Sequence, residues 1–248
     1  MSESQLCDSC FKGVTHEGTP NGKWEKIGGV DCYVAVPEEN KNAKTVVLFL
    51  PDAFGVQLIN NQTVGIDYFH GDPVPEEALS MANYSGPWDR AKWFERHVNN
   101  LEPTRETIKK VVDALKAEGV EVFGATGYCY GGRCTFDLAF ENTIKVAATS
   151  HPSLLKIPED LEKYLAASKA PLLINSCTTD HQFPPESQAK TDEVLGNGKF
   201  APGYKREYFE GCEHGFAVRG DMSKPEVKAG KEGSFKSTVE WFKKYLIA

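Results

Sequence analysis

No stretch of this 248-residue chain is apolar over the length a membrane span requires. The opening residues, Met1-Ser2-Glu3-Ser4-Gln5-Leu6-Cys7, contain neither a basic cluster nor an apolar segment, so no secretory signal is expected. Runs of like charge are absent, as are internal repeats and low-complexity tracts. A net charge of −7, from 28 Lys and Arg against 35 Asp and Glu, argues against nucleic acid or an anionic membrane as a partner. A second C-x-x-C is also missing. Cys7-Asp8-Ser9-Cys10 therefore falls short of the four ligands a zinc site takes, because His16 alone does not complete the set. Seven cysteines, an odd number, suit a reducing compartment, and the expected location is cytoplasmic. Cys32, Cys134, Cys177 and Cys212 read as small apolar fillers.

With 40% hydrophobic and 25% charged residues, the chain has the composition of a globular protein with a substantial core. Residues 1–25 read as an N-terminal extension and 26–248 as a single α/β domain. Val30, Cys32, Val34 and Val36 alternate as in an edge or half-exposed strand, whereas Val46 to Leu50 is apolar throughout, as in a strand covered on both faces. Thr63 to Tyr68 is a shorter strand candidate, and Lys145 to Ser150 another, ending at His151-Pro152. Pro103 opens a helix with a stripe of Ile108, Val111, Val112 and Leu115, closed by Gly119. Phe235, Val239, Phe242 and Leu246 are expected to form the buried face of a closing helix. Strands alternating with helices imply a mostly parallel sheet between two helix layers.

The most informative segment is Gly127-Tyr128-Cys129-Tyr130-Gly131-Gly132, which follows the apolar run Val120 to Ala125 and leads into a helix predicted over 133–140. It is a G-x-C-x-G turn between strand and helix, the setting of a nucleophile elbow with cysteine as the nucleophile. The glycines make room where a side chain would strike a neighbouring element, and the helix start favours thiolate over thiol. Asp180 follows the apolar run 171–177, and His214 follows Tyr208-Phe209, each where a strand should end. Nucleophile, acid and base thus come in the chain order of the α/β-hydrolases. They lie 51 and 34 positions apart (180 − 129 and 214 − 180), but parallel strands bring their carboxyl ends to one edge of the sheet.

These residues, with Leu50-Pro51-Asp52-Ala53-Phe54-Gly55-Val56, Ser150-His151-Pro152 and His214-Gly215-Phe216, resemble the dienelactone hydrolases, a cysteine branch of the α/β-hydrolases, from about Lys23 to the C-terminus. The resemblance implies an α/β-hydrolase fold and a carboxylic ester hydrolase of the carboxymethylenebutenolidase type. Such an enzyme opens a cyclic enol ester, dienelactone, to maleylacetate without metal or organic cofactor. Its implied triad is Cys129 as nucleophile, His214 as base and Asp180 orienting the histidine. The Ala53 and Tyr130 N–H groups would form the oxyanion hole. Asp52, where many members have glutamate, would help gate the thiol, and Arg219 would hold a substrate carboxylate, with Arg90 as a second clamp. The expected partner is a small, anionic substrate; the oligomeric state stays open, with a monomer slightly favoured. Alternatives are a broader carboxylesterase or thioesterase, or a non-catalytic binding or redox-sensing member of the fold.

One departure from the family stands out. Only residues 51–62 join Leu50 to Thr63, and a parallel crossover normally takes about a dozen residues or more, usually with a helix. The crossover helix after the 46–50 strand is expected to be missing, leaving the 63–68 strand displaced or unpaired, or the exposed face covered by a partner chain.

Overall fold

A computed structural model describes residues 22–35, 44–55, 64–78 and 86–246. Cys7, Cys10, His16 and Val36 lie outside the described residues, as does most of the 51–62 crossover on which the missing-helix expectation rests. Among the described residues, no helix is long and apolar enough to cross a membrane.

Eight strands form one sheet in the order β1-β2-β4-β3-β5-β6-β7-β8. They are β1 (Lys23–Ile27), β2 (Val30–Val34), β3 (Thr45–Leu50), β4 (Val64–Ile66), β5 (Val122–Tyr128), β6 (Val146–Ser150), β7 (Leu172–Thr179) and β8 (Tyr204–Glu213). The β1–β2 and β2–β4 pairs are antiparallel and all others are parallel. This is the α/β-hydrolase architecture. One edge strand is β8 and the other is β1, which begins at Lys23 and straddles the boundary drawn at residue 26. Its partner β2 is therefore internal: Val30, Cys32 and Val34 share one buried face as their alternation predicts and Asp31 is exposed, but Tyr33 is buried on the opposite face, packed with Phe49.

The short strand β4 is neither displaced nor unpaired. It lies between β3 and β2, pairing Val64 with Leu48 and Gly65 with Phe49 on one side and Ile66 with Cys32 on the other. Two flanking backbones satisfy its donors and acceptors, so three residues suffice to hold it in register. On one face of β3, Val47 and Phe49 are half-buried. Phe49 stacks on Tyr128 at 4.9 Å.

Alternate residues along the parallel strands feed two cores, as strand geometry requires. Ala147, Leu172 and Ile174 point into the larger one with α2 (Glu102–Ala117), α3 (Tyr130–Phe140), α4 (Glu159–Ala167) and α5 (Pro185–Leu195). Val146, Ala148 and Leu173 point to the other face, against Trp241 and Phe242 of α7 (Pro225–Tyr245). The helix α2 buries Ile108, Val111, Val112 and Leu115 as its spacing predicts. Cys32, Cys134, Cys177 and Cys212 are all buried; burial pushes the Cys32 thiol up to about 12.

Of the expected face of the closing helix, Phe242 and Leu246 are buried, while Phe235 and Val239 need correction. The helix α7 turns Val227, Gly230, Ser234, Thr238, Trp241 and Phe242 to the sheet, while Phe235 is 48% exposed and Val239 half-buried. The reason is polar. Buried Asn175 of β7 donates from Nδ2 to Ser150 Oγ (3.1 Å), Ser234 O (3.4 Å) and Thr238 Oγ1 (3.2 Å), and its Oδ1 accepts from Ser237 Oγ (2.8 Å). A buried amide requires such partners, and they fix the rotation of the helix.

Asn175→Ala should therefore cost about 3 kcal/mol, because several buried groups lose their partner. Phe235→Gln should change stability by no more than about 0.5 kcal/mol, as expected for a half-exposed surface position. Urea unfolding of both variants checks this, and a larger loss at Phe235 than at Asn175 would contradict the observed face.

Candidate active site

Cys129 stands between β5 and α3 with φ 51° and ψ −111°, a sparsely populated conformation for a residue with a side chain. The helix begins at Tyr130, earlier than its sequence suggests, so the sulfur sits at the helix start. The turn is that tight because α3 presses on two strand ends. A Cβ on Gly131 would overlap the Leu50 carbonyl oxygen at the end of β3, and one on Gly127 would overlap Gly131 O and Thr135 Oγ1. The flanking glycines are steric requirements.

Register delivers the other two members. Thr179 of β7 pairs with Glu213 of β8, so Asp180 and His214, one step further on, leave the sheet side by side. Their Oδ1 and Nδ1 are 2.9 Å apart. The Gln182 and Phe183 amides donate to the same Oδ1 at 2.9 and 3.0 Å, which holds the carboxylate and hence the ring. The opposite ring nitrogen, Nε2, lies 3.5 Å from Ser153 Oγ, and Ser153 Oγ lies 3.3 Å from Cys129 Sγ. His214 and Cys129 also share a hydrogen bond. Cys129 has no exposed surface, and Asp180 and His214 are buried.

Burial opposes charge on His214. The Asp180 carboxylate and the Cys129 sulfur, with the hydrogen bonds to both, outweigh it and lift the imidazole from 6.5 to about 10. His151, fully buried at the end of β6, packs its ring edge-on to His214 at 4.9 Å. Its two ring nitrogens have no hydrogen-bond partner among the described residues. Burial first, then the charges on His214 and Arg219, push its pKa well below the ordinary value, so it stays neutral.

The single-turn α6 (Phe216–Arg219) carries Arg219 back across the strand ends. Its Nε lies 2.9 Å from Asp52 Oδ2, both residues are buried, and the guanidinium covers the Phe54 ring at 5.2 Å. Asp52 Oδ1 accepts from the Phe54 N–H at 3.0 Å. Burial raises the Asp52 pKa, Arg219 works against the rise, and the Cys129 sulfur adds to it. Ala53 is buried in the same turn, its carbonyl accepting from the Val74 N–H at 2.9 Å. Tyr130 heads α3, where backbone N–H groups have no partner inside the helix. Its phenol is anchored by Thr104 Oγ1 (2.9 Å) and His97 O (2.6 Å).

Cys129, Asp180, His214, Asp52 and Arg219 thus come together. Arg90 opens α1 (Arg90–His97) and stacks over the Phe94 ring at 5.3 Å. Ser153 carries no sequence signal beyond its place just after Ser150-His151-Pro152 at a strand end.

The raised pKa of His214 means that its ring, protonated in any state below 6.5, should release the proton in the folded protein only as pH climbs to about 10. Nitrogen NMR of the imidazoles should show His214 doubly protonated at about pH 8 and His151 still neutral at about pH 5. Asp180→Asn should lower the His214 midpoint. A His214 midpoint near the ordinary 6.5 in the intact protein would contradict this electrostatic picture.

Comparison with known proteins agrees with the fold. The profile of the dienelactone hydrolase family matches residues 81–246. A Gibberella moniliformis protein called dienlactone hydrolase 1 is 32% identical over 257 residues, covering 98% of this chain and 94% of the relative. An Aspergillus violaceofuscus hydrolase, pyvD, is 30% identical over 96% of both chains. Among solved structures, a putative dienelactone hydrolase from Klebsiella pneumoniae superposes with a TM-score of 0.65 at 18% identity, over 90% of this chain and 98% of that one. The chain belongs to the dienelactone hydrolase family, and with it to the carboxylic ester hydrolases.

Proposed function

We propose that the protein hydrolyses a small activated ester or lactone through Cys129, His214 and Asp180. The observation that carries this reading is the buried chain from Asp180 Oδ1 through His214 to the Cys129 sulfur, with 2.9 Å between carboxylate and ring. A charged ring beside the sulfur favours thiolate, which is the nucleophilic form. The thiolate attacks the acyl carbon, and the carbonyl electron pair moves onto oxygen, where the Ala53 and Tyr130 N–H groups would hold it. Collapse expels the alkoxide or enolate, which takes the proton from His214 Nε2 and leaves a thioester on Cys129. Water then gives a proton to the now neutral His214 as it attacks the thioester; the acid departs and the thiolate is restored. Because Cys129 is covered, an ester reaches the sulfur only after the surrounding side chains shift.

Substrate charge turns on Arg219. A planar guanidinium next to the triad suits a carboxylate, in line with an anionic lactone of the dienelactone type. Here it is already engaged by Asp52 at 2.9 Å, so an acidic substrate must compete with a buried ion pair. That engagement favours neutral esters as the second substrate class, the broader carboxylesterase reading. Arg90, held over the Phe94 ring, is the second clamp that the family resemblance implies. The five described cysteines are buried thiols, which fits a cytoplasmic location.

Cys129→Ala should abolish turnover of an activated aryl ester, His214→Ala should lower it by roughly three or more orders of magnitude and Asp180→Asn by somewhat less. Undiminished activity in Cys129→Ala would end this reading. Arg219→Lys keeps the charge but not the planar fork, so kcat/KM for a carboxylated aryl ester should fall about tenfold more than for its neutral analogue. Equal losses on the two esters would mark Arg219 as structural.

A further inference from the structure

We propose that the Ser153 hydroxyl is a positioning group that holds the Cys129 sulfur as a thiolate beside the charged His214 ring, a role that rests on the cysteine chemistry proposed above. Ser153 is fully buried, and its Oγ lies 3.3 Å from the sulfur and 3.5 Å from His214 Nε2. The backbone is built to keep it there. The Ser153 N–H donates to Cys129 O at 2.9 Å, and the His151 N–H donates to Asn175 O at 2.8 Å. His151 and Leu154 both adopt positive φ, 41° and 64°, conformations that non-glycine residues take only when their surroundings impose them. Pro152 between them packs against Gly132 of α3, with 2.7 Å between its Cβ and the place where a Gly132 Cβ would stand. The segment after β6 is thus clamped onto the elbow from both sides.

A hydroxyl has one proton to give and two lone pairs. Beside sulfur and imidazole it meets two states. With a charged ring, whose Nε2–H bonds to the sulfur, the hydroxyl donates its proton to the thiolate. With a neutral ring the S–H donates to Nε2 and the hydroxyl faces an uncharged sulfur. The two states differ by one proton passed from sulfur to Nε2, so no proton is gained or lost. His214 keeps its proton at neutral pH, which selects the first arrangement and makes Ser153 a donor to the thiolate. The ionisable groups around the sulfur do not all help. Asp52 after β3 disfavours the thiolate, Arg219 and His214 after β8 favour it, Asp180 after β7 acts through His214, and Tyr68 after β4 and His151 after β6 are neutral. With a carboxylate on one side of the sulfur, a dedicated donor on the other has a clear use.

The test is the pH titration of the Cys129 thiolate, read by its ultraviolet absorbance against Cys129→Ala as blank, which needs no access to the buried sulfur. Ser153→Ala should raise the midpoint by about one unit, the order of one hydrogen bond to a charged group. The acidic limb of kcat/KM should move up by the same amount, so activity on that limb falls about tenfold while the alkaline plateau is retained. A serine with only a structural role would lower the thermal midpoint and leave both titrations in place, and that result overturns the proposal. Should Ser153→Ala fold poorly, Ser153→Thr and Ser153→Val keep one shape and differ in the hydroxyl. The threonine variant should titrate like the parent and the valine variant like alanine, and equal titration of the two overturns the proposal. Full turnover by Cys129→Ala would instead remove the cysteine chemistry on which this role rests, so the two failures are distinguishable.

Discussion

The contact between the first turn of α3 and the carboxyl ends of β3 and β5 sets the geometry of everything around it. It is a backbone-to-backbone approach that only glycine at 127 and 131 permits, and it forces Cys129 into a conformation side chains avoid. Such strain costs on the order of 1–3 kcal/mol and persists only where the surroundings over-determine it. The parallel sheet provides that surrounding. Leu50 pairs with Gly127 across β3 and β5, and Tyr128 with Ser150 across β5 and β6, so the loops after three strands converge on the elbow. Asp52 and Ala53 arrive from one side, Ser153 from the other.

Placing the sulfur there creates an electrostatic problem, because the site buries two carboxylates, an arginine and a histidine together. Isolated buried charges are costly, and the structure resolves them as two linked pairs. Asp180 with His214 forms one, Asp52 with Arg219 the other, and Cys129 feels both. The first pair makes the ring a cation suited to a thiolate. The second sets a cation and an anion beside the first pair, and its Asp52 opposes negative charge on the sulfur. His151 completes the arrangement by remaining neutral, since a further positive charge beside His214 and Arg219 would undo the balance.

Much of this was legible in the sequence, for identifiable reasons. The elbow shows because its glycines answer a steric demand that only their residue type meets. Asp180 and His214 show because strand ends are marked by the change from apolar runs to polar loops, and a parallel sheet brings such ends together. Features decided by tertiary pairing were hidden. The rotation of α7 follows from Asn175, whose partners Ser234, Ser237 and Thr238 look like surface residues in a helical pattern that otherwise favours Phe235. The pairing of β4 depends on its two neighbours and not on its own three residues. The family resemblance implies that Arg219 holds a substrate carboxylate, but the carboxylate it meets in the structure is the chain's own Asp52. Ser153 was invisible because a serine in a loop has no distinguishing spacing; only the position of its oxygen between sulfur and imidazole reveals it.

The central claim is that the acyl group passes through a covalent bond to sulfur. Rapid mixing with an activated aryl ester, an acid quench before the slow step completes, and mass analysis of the intact and digested protein address it directly. The account predicts one acyl group per chain, carried as a thioester on the peptide containing Cys129 and absent when Cys129 is alanine. An acyl group found instead on Ser153, or turnover that proceeds with no trapped adduct while Cys129→Ala stays active, would contradict it.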